Sequence, residues 1–294
     1  IKGGTGNDSL IGTDAKLSGT TVLGDTITGG NGADTIDGSL GADTITGGAG
    51  ADVFDYNAVA DSTGNLKDTI TDFTQSTLNA TTGAVVTAGD SIRIVVGSVD
   101  GVWTASDKGD VNNAGEAASA MNNVKGSFVF SKDNDTLYLD LDGDSTLNSD
   151  DYAIILTDLD SFHGADLDFY ITSVNNADTI TTLDGDDSIT SANGNDVITS
   201  GGGNDTITGG TGTHSVTAGA GNDIITTTTG ADTILGGTGE VVRIESMIPN
   251  LIDRTDASGT AIDYILSLIH ISEPTRLRRM AYAVFCLKKK SRGG

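Results

Sequence analysis

GGNGADTIDGSLGADTITGGAGADVFD, residues Gly29–Asp55, is three nonapeptides laid end to end. Asp34, Asp43 and Asp52 stand nine apart, and Ile36, Ile45 and Phe54 each follow two residues later. Gly29, Gly32, Gly38, Gly41, Gly47 and Gly50 keep the same period. Upstream, GDTIT at Gly24–Thr28 puts Asp25 and Ile27 in this register. GGTGNDSLI at Gly3–Ile11 is a further unit, with Asp8, offset by an insertion over residues 12–23. A short fixed period marks a stacked, solenoid-like architecture. Each unit has a glycine-rich turn half, where positive φ and close backbone approach are needed. Its other half, DxUx, is a short strand with one apolar side chain inward and Thr or Ser outward. Two units make one coil of about 18 residues, with a turn on each edge.

The second array is longer. Asp178, Asp187, Asp196, Asp205, His214, Asp223 and Asp232 occupy one column at nine-residue spacing. Ile180, Ile189, Ile198, Ile207, Val216, Ile225 and Ile234 form a second, and Gly185, Gly194, Gly203, Gly212, Gly221, Gly230 and Gly239 a third. Units two apart share an edge. Asp178, Asp196, His214 and Asp232 therefore line one side, and Asp187, Asp205 and Asp223 the other. Stacked turns place carboxylates and backbone carbonyls around common holes, the hard-oxygen environment that Ca²⁺ prefers. His214 puts an imidazole where a carboxylate is expected, so calcium sites adjoining it should be weak or empty. The early units TLDGDDSIT and SANGNDVIT lack the first glycines and should bind less tightly.

The GGxGxDxUx pattern resembles the calcium-binding nonapeptide of the RTX (repeats-in-toxin) family, over about residues 3–55 and 174–239. The resemblance implies an all-β chain: two calcium-binding parallel β-rolls of the right-handed β-helix type, separated by a β-rich cap domain. The rolls are expected over residues 1–55 and 174–240, with the cap over 56–173 and a truncated cap or linker over 241–265. The implied ligands are the repeat aspartates named above other than His214, with the carbonyls of Gly29, Gly32, Gly38, Gly41, Gly47, Gly50, Gly185, Gly194, Gly203, Gly221 and Gly230. The family also implies type I secretion machinery as a partner and an extracellular or cell-surface location.

Composition fits a cation-dependent fold. The chain has 41 Gly, 2 Pro, 5% aromatic residues and a formal net charge of -25. Seven of its 16 Lys and Arg lie in residues 266–294, leaving nine against 40 Asp and Glu in residues 1–265. Nucleic acid is excluded as a partner on electrostatic grounds. One Ile per unit contributes about 1.5–3 kcal/mol on burial, against about 1–2 kcal/mol of backbone entropy for every ordered residue. Metal-coupled folding is therefore expected. The single cysteine, Cys286, leaves residues 1–265 without disulfide chemistry, and no apolar run is long enough to span a membrane. LSLIHISEPTR at Leu266–Arg276 and YAVFCLKKK at Tyr282–Lys290 read as translated sequencing-library text, so residues 266–294 are set apart from the fold. The chain also opens inside a repeat without an initiator Met, as a fragment would.

Between the arrays, DTITDF at Asp68–Phe73 and GDSIRI at Gly89–Ile94 resemble motifs that follow the β-roll in secreted RTX proteases, which implies a cap. Residues 112–124 carry Ala and Met at helical spacing, and residues 126–141 alternate as a strand pair. DLDGDSTLNSDD at Asp140–Asp151 sets Asp140, Asp142, Asp144, Thr146, Asn148 and Asp151 at positions 1, 3, 5, 7, 9 and 12 of an EF-hand-like loop. Ser145 replaces the invariant glycine and Asp151 the bidentate Glu, so a strand-flanked calcium loop is expected. No HExxH, GxSxG or phosphate-binding loop occurs, and His163, His214 and His270 are isolated in sequence. The chain reads as a non-enzymatic fragment of a surface, structural or adhesin-like protein, with self-assembly or the cell surface as partners. The alternative is the secretion and folding module of an RTX enzyme or toxin whose catalytic domain lies upstream.

Overall fold

The computed structural model describes residues 1–14, 22–63, 66–78, 85–121, 124–148, 150–228, 230–239, 241–245 and 264–267. The rest of 241–265 and of the tail, with Cys286 and His270, lies outside the described residues, as does most of the 12–23 insertion. Among the described residues the chain is nearly all strand, with one α-helix, Ala114–Met121.

The repeat dictates the coils. In the second array the strands are mostly triplets: Thr179–Thr181, Ser188–Thr190, Val197–Thr199, Thr206–Thr208, Ser215–Thr217 and Thr233–Leu235, joined by the longer Asp223–Thr227. Every second triplet stacks in parallel, so Ile180 pairs with Ile198 and Ile198 with Val216 in one sheet. Ile189 pairs with Ile207 and Ile207 with Ile225 in the other. The β-branched residue of each triplet is buried, and its neighbours face outward, as period-2 geometry requires. The first array does the same with Thr26–Asn31 and Thr44–Ala49 on one side and Ser9–Ile11, Thr35–Asp37 and Val53–Tyr56 on the other. Both arrays are thus parallel β-rolls.

The segment between them does more than separate them. Two of its strands, Ser91–Val99 and Leu167–Ser173, lie side by side within one ten-stranded sheet. Val53 pairs with Ser91, Ile92 with Leu167, and Tyr170 with Ser188. The sheet of the first roll therefore passes into that of the second without an edge, and one apolar core runs from Ile27 to Ile234. The same sheet continues through Val241–Glu245 and Tyr264–Ser267. Roll stacking thus extends past residue 240 by backbone pairing.

Most of the remaining inserted strands extend another sheet, while Val102–Thr104 pairs with Thr179–Thr181 of the second roll and Thr77–Leu78 pairs with Val85–Thr87. Thr69–Ile70 continues the first roll and pairs with Tyr152–Leu156, which is antiparallel to Thr136–Asp140, itself antiparallel to Ser127–Ser131. Phe128 opposes Leu139 and Phe130 opposes Leu137, the strand pair read from alternation. The expected helix is there, and its Ala117 and Met121 pack on Val129, Tyr138 and Ala153. Trp103 meets Phe169 edge-on at 5.1 Å where the second roll begins.

Candidate metal centres

The strand start fixes each aspartate. Its Oδ1 accepts the backbone N–H of the aspartate one coil earlier, so the column is a hydrogen-bonded ladder. On one edge of the first roll Asp8 donates to Asp34 (2.8 Å), Asp34 to Asp52 (2.8 Å) and Asp52 to Asp90 (2.9 Å). On the other, Asp25 donates to Asp43 (2.6 Å) and Asp43 to Asp68 (2.8 Å). The second roll follows the two edges read from sequence. Asp178 donates to Asp196 (3.0 Å) and His214 to Asp232 (2.9 Å) on one edge. Asp187 donates to Asp205 (2.9 Å) and Asp205 to Asp223 (3.1 Å) on the other.

The second oxygen has a different fate. Oδ2 of Asp8, Asp34, Asp43, Asp52, Asp68, Asp178, Asp187, Asp196, Asp205 and Asp223 is buried without a hydrogen-bond partner. A buried carboxylate oxygen left unpaired is costly unless a cation or proton meets it. In the first roll this oxygen lies in a glycine cradle. A methyl on Gly3 would stand 2.5 Å from Asp8 Oδ2 and 2.6 Å from the Gly29 carbonyl oxygen, and one on Gly47 would stand 2.5 Å from Asp52 Oδ2. Gly29 and Gly38 sit likewise against Asp34 and Asp43. Carboxylate and carbonyl oxygens converging on side-chain-free space fit a hard divalent cation.

The glycines two residues before each aspartate do another job. Gly32, Gly41, Gly50, Gly194, Gly203, Gly221 and Gly230 have φ between +100° and +154°. Gly185 does not take positive φ, although an added Cβ there would stand 1.9 Å from the Leu167 carbonyl oxygen. In the second roll the cradle position is glycine only before His214, at Gly209. Thr182, Ser191, Ser200, Ala218 and Thr227 hold it, all buried. The Thr182 hydroxyl donates to the Ser200 carbonyl at 2.8 Å, and that of Ser200 to the Ala218 carbonyl at 2.9 Å. Small hydroxyl residues thus substitute for the first glycine that these units lack.

Two aspartates escape the sequence reading. Asp68 and Asp90 complete the first-roll ladders, but 25 and 38 residues from their partners rather than 18. The DxI signature of Asp68–Ile70 and Asp90–Ile92 was the available signal. Asp25 departs the other way, since its Oδ2 is taken by the Thr13 amide at 2.6 Å.

Burial is the first cause of every carboxyl shift on the ladders. It raises Asp68 to about 9, Asp205 to about 7 and Asp90 to about 6, and holds Asp187 well above the carboxylate range. These values belong to the metal-free chain. A bound cation reverses the preference, since it favours the ionised form.

The Asp140–Asp151 loop joins two antiparallel strands, as expected of a strand-flanked site. Carboxylate oxygens of Asp140, Asp142 and Asp144 lie within 4.8 Å of one another. Asp140 accepts the Gly143 amide at 2.6 Å and the Ser145 amide at 3.0 Å, and Asp144 accepts that of Thr146 at 2.6 Å. Asp151 reaches back to accept the amides of Leu141 (3.0 Å) and Asn148 (3.2 Å). Ser145 takes φ +59°, the conformation for which an EF-hand keeps glycine. Asp140 and Asp151 are buried, which raises both carboxyls, Asp151 to about 6.

Residues 1–15, 23–61, 174–207 and 208–240 match the family model of the RTX calcium-binding nonapeptide repeat, in four copies. No curated protein matches the chain. The matched stretches cover the ladder aspartates of both rolls except Asp68 and Asp90, so the ladder residues and their turn glycines are those that would hold calcium, which supplies the positive charge their buried oxygens need. With the periodic columns, the parallel rolls and the family match in agreement, the two arrays of this chain are RTX calcium-binding nonapeptide repeats.

Proposed function

We propose that this chain is a structural segment of a secreted or cell-surface protein, disordered without calcium inside the cell and folded by it outside. The observation that carries the reading is the ladder of unpartnered buried carboxylate oxygens. Such a stack is unstable as a free polyanion and stable when cations fill it. Cytosolic calcium is too scarce for weak sites, whereas extracellular modules bind in the range of about 10⁻⁴–10⁻³ M. Cation binding to the folded state alone then drives folding by mass action. Export through type I machinery suits a chain that stays unfolded until it leaves.

A structural role is favoured over catalysis by the use made of the polar groups. The repeat accounts for the aspartates. The His163–Asp166 pair, 3.3 Å apart, aims its other ring nitrogen at the Ser76 carbonyl, not at a hydroxyl nucleophile. The Asp140–Asp151 loop is a second kind of calcium site in this reading. Among the described residues no helix is long and apolar enough to cross a membrane.

Circular dichroism with and without calcium is the direct test. We expect loss of most β signal in chelator and its recovery on adding millimolar calcium. A chain equally folded in chelator would refute the folding switch.

A further inference from the structure

His214 breaks the aspartate column in a way that goes beyond losing a carboxylate. Its side chain is fully buried, and so is that of Asp196. Asp196 spends Oδ1 on the Asp178 amide at 3.0 Å. Its Oδ2, without a hydrogen-bond partner, lies 3.3 Å from His214 Nδ1. His214 Nε2 lies 3.3 Å from the Gly210 carbonyl, to which it can only donate. That contact fixes the neutral ring as the Nε2–H tautomer, so the Nδ1 lone pair faces the Asp196 carboxylate. The Asp196 amide also points at Nδ1, but at 3.4 Å, against 2.9–3.1 Å for the ladder bonds either side and on the opposite edge. It holds the lone pair only loosely.

This arrangement does not suit calcium, which takes oxygen ligands. It does suit a borderline divalent ion. Metal-bound histidines usually give their second ring N–H to a carbonyl or carboxylate, which sets tautomer and orientation. Here the Gly210 carbonyl fills that place. Zinc sits about 2.0–2.1 Å from imidazole nitrogen and about 2.0–2.2 Å from carboxylate oxygen, and two such ligands at a tetrahedral angle lie about 3.3–3.5 Å apart. The observed nitrogen–oxygen separation matches that span without rearrangement.

We infer that the gap between the Asp196 and His214 coils is a site for a zinc-class transition-metal ion, held by His214 Nδ1 and Asp196 Oδ2 within an otherwise calcium-selective ladder. The inference rests on the calcium-folded roll. Backbone carbonyls and water complete the coordination.

The test is calorimetric titration of zinc into the calcium-saturated chain, compared with His214→Gln and His214→Asp. Zinc should bind the parent protein, and its stoichiometry should fall by one in both variants, while His214→Asp gains calcium stoichiometry. To make the test independent of variant folding, zinc is also added to the parent protein and its imidazole ¹⁵N resonances followed. Nδ1 of His214 should move. Zinc stoichiometry undiminished in a folded His214→Gln, or a folded parent chain that takes up no zinc against millimolar calcium, overturns the assignment. A parent chain whose circular dichroism does not respond to calcium overturns the calcium-folding reading, and this inference with it.

Discussion

At the scale of single residues, the ladder aspartates turn pH into opposite effects with and without metal. In the metal-free fold Asp205 is raised to about 7 and Asp68 to about 9, against about 3.9 in an unfolded chain. The folded state therefore binds protons more tightly. The stability this confers is complete below about pH 4 and is lost as pH rises through the folded values. In chelator, β structure should increase when pH is lowered from 8 to about 4.5. With calcium the sign reverses, because protons compete with the cation, and acid should lower calcium affinity. Circular dichroism across pH in both buffers checks this, and a metal-free signal that is flat or falls with acid would contradict it. The columns that carry this behaviour were legible because period nine exposes every member. Asp68 and Asp90 were not, because the insertions before them break the count while the backbone restores the register. The ring orientation of His214 was not legible either, since it depends on the Gly210 carbonyl that the turn brings back to it.

At the scale of the turn, glycine serves two separable ends. Gly4 and Gly32 have nearly the same φ, +127° and +131°. An added Cβ at Gly4 meets nothing within 4 Å, whereas at Gly32 it runs into the Gly6 carbonyl of the neighbouring coil. Gly4→Ala should cost about 1–2 kcal/mol for the left-handed conformation alone. Gly32→Ala should cost about 1–3 kcal/mol more for overpacking. Denaturant titration in saturating calcium measures both, and equal losses would show that coil-to-coil contact is not what demands glycine there. Turn chemistry was largely readable from sequence. What could not be read is the exchange of the cradle glycine for Thr182 and Ser200, because a small hydroxyl residue looks like a degraded repeat until its hydrogen bond to the next coil is seen. The Asp140–Asp151 loop was placed correctly between strands by the Leu137–Leu141 alternation.

At the scale of the whole molecule, the ten-stranded sheet that passes through both arrays sets an order of events. Within either roll each strand finds its neighbour only one coil away. At the junction, Val53 must find Ser91, Ile92 must find Leu167, and the antiparallel strands must be in place between them. No periodicity announces such pairings, which is why sequence suggested two bodies and a cap where the sheet is continuous. Closing a long loop costs entropy before any contact repays it, and distant pairings form slowly. After a jump in calcium, each roll should therefore wind up on its own, quickly, and the join between Ser91–Val99 and Leu167–Ser173 should close last. Stopped-flow fluorescence of Trp103, which packs on Phe169 at that join, should lag the circular dichroism of the rolls. Simultaneous traces would mean that the molecule winds from one end. Late as it is, the join is held by seven registered residue pairs, against three between successive triplets of the second roll. Pulled from both ends, the chain should unwind coil by coil within a roll and keep its middle intact.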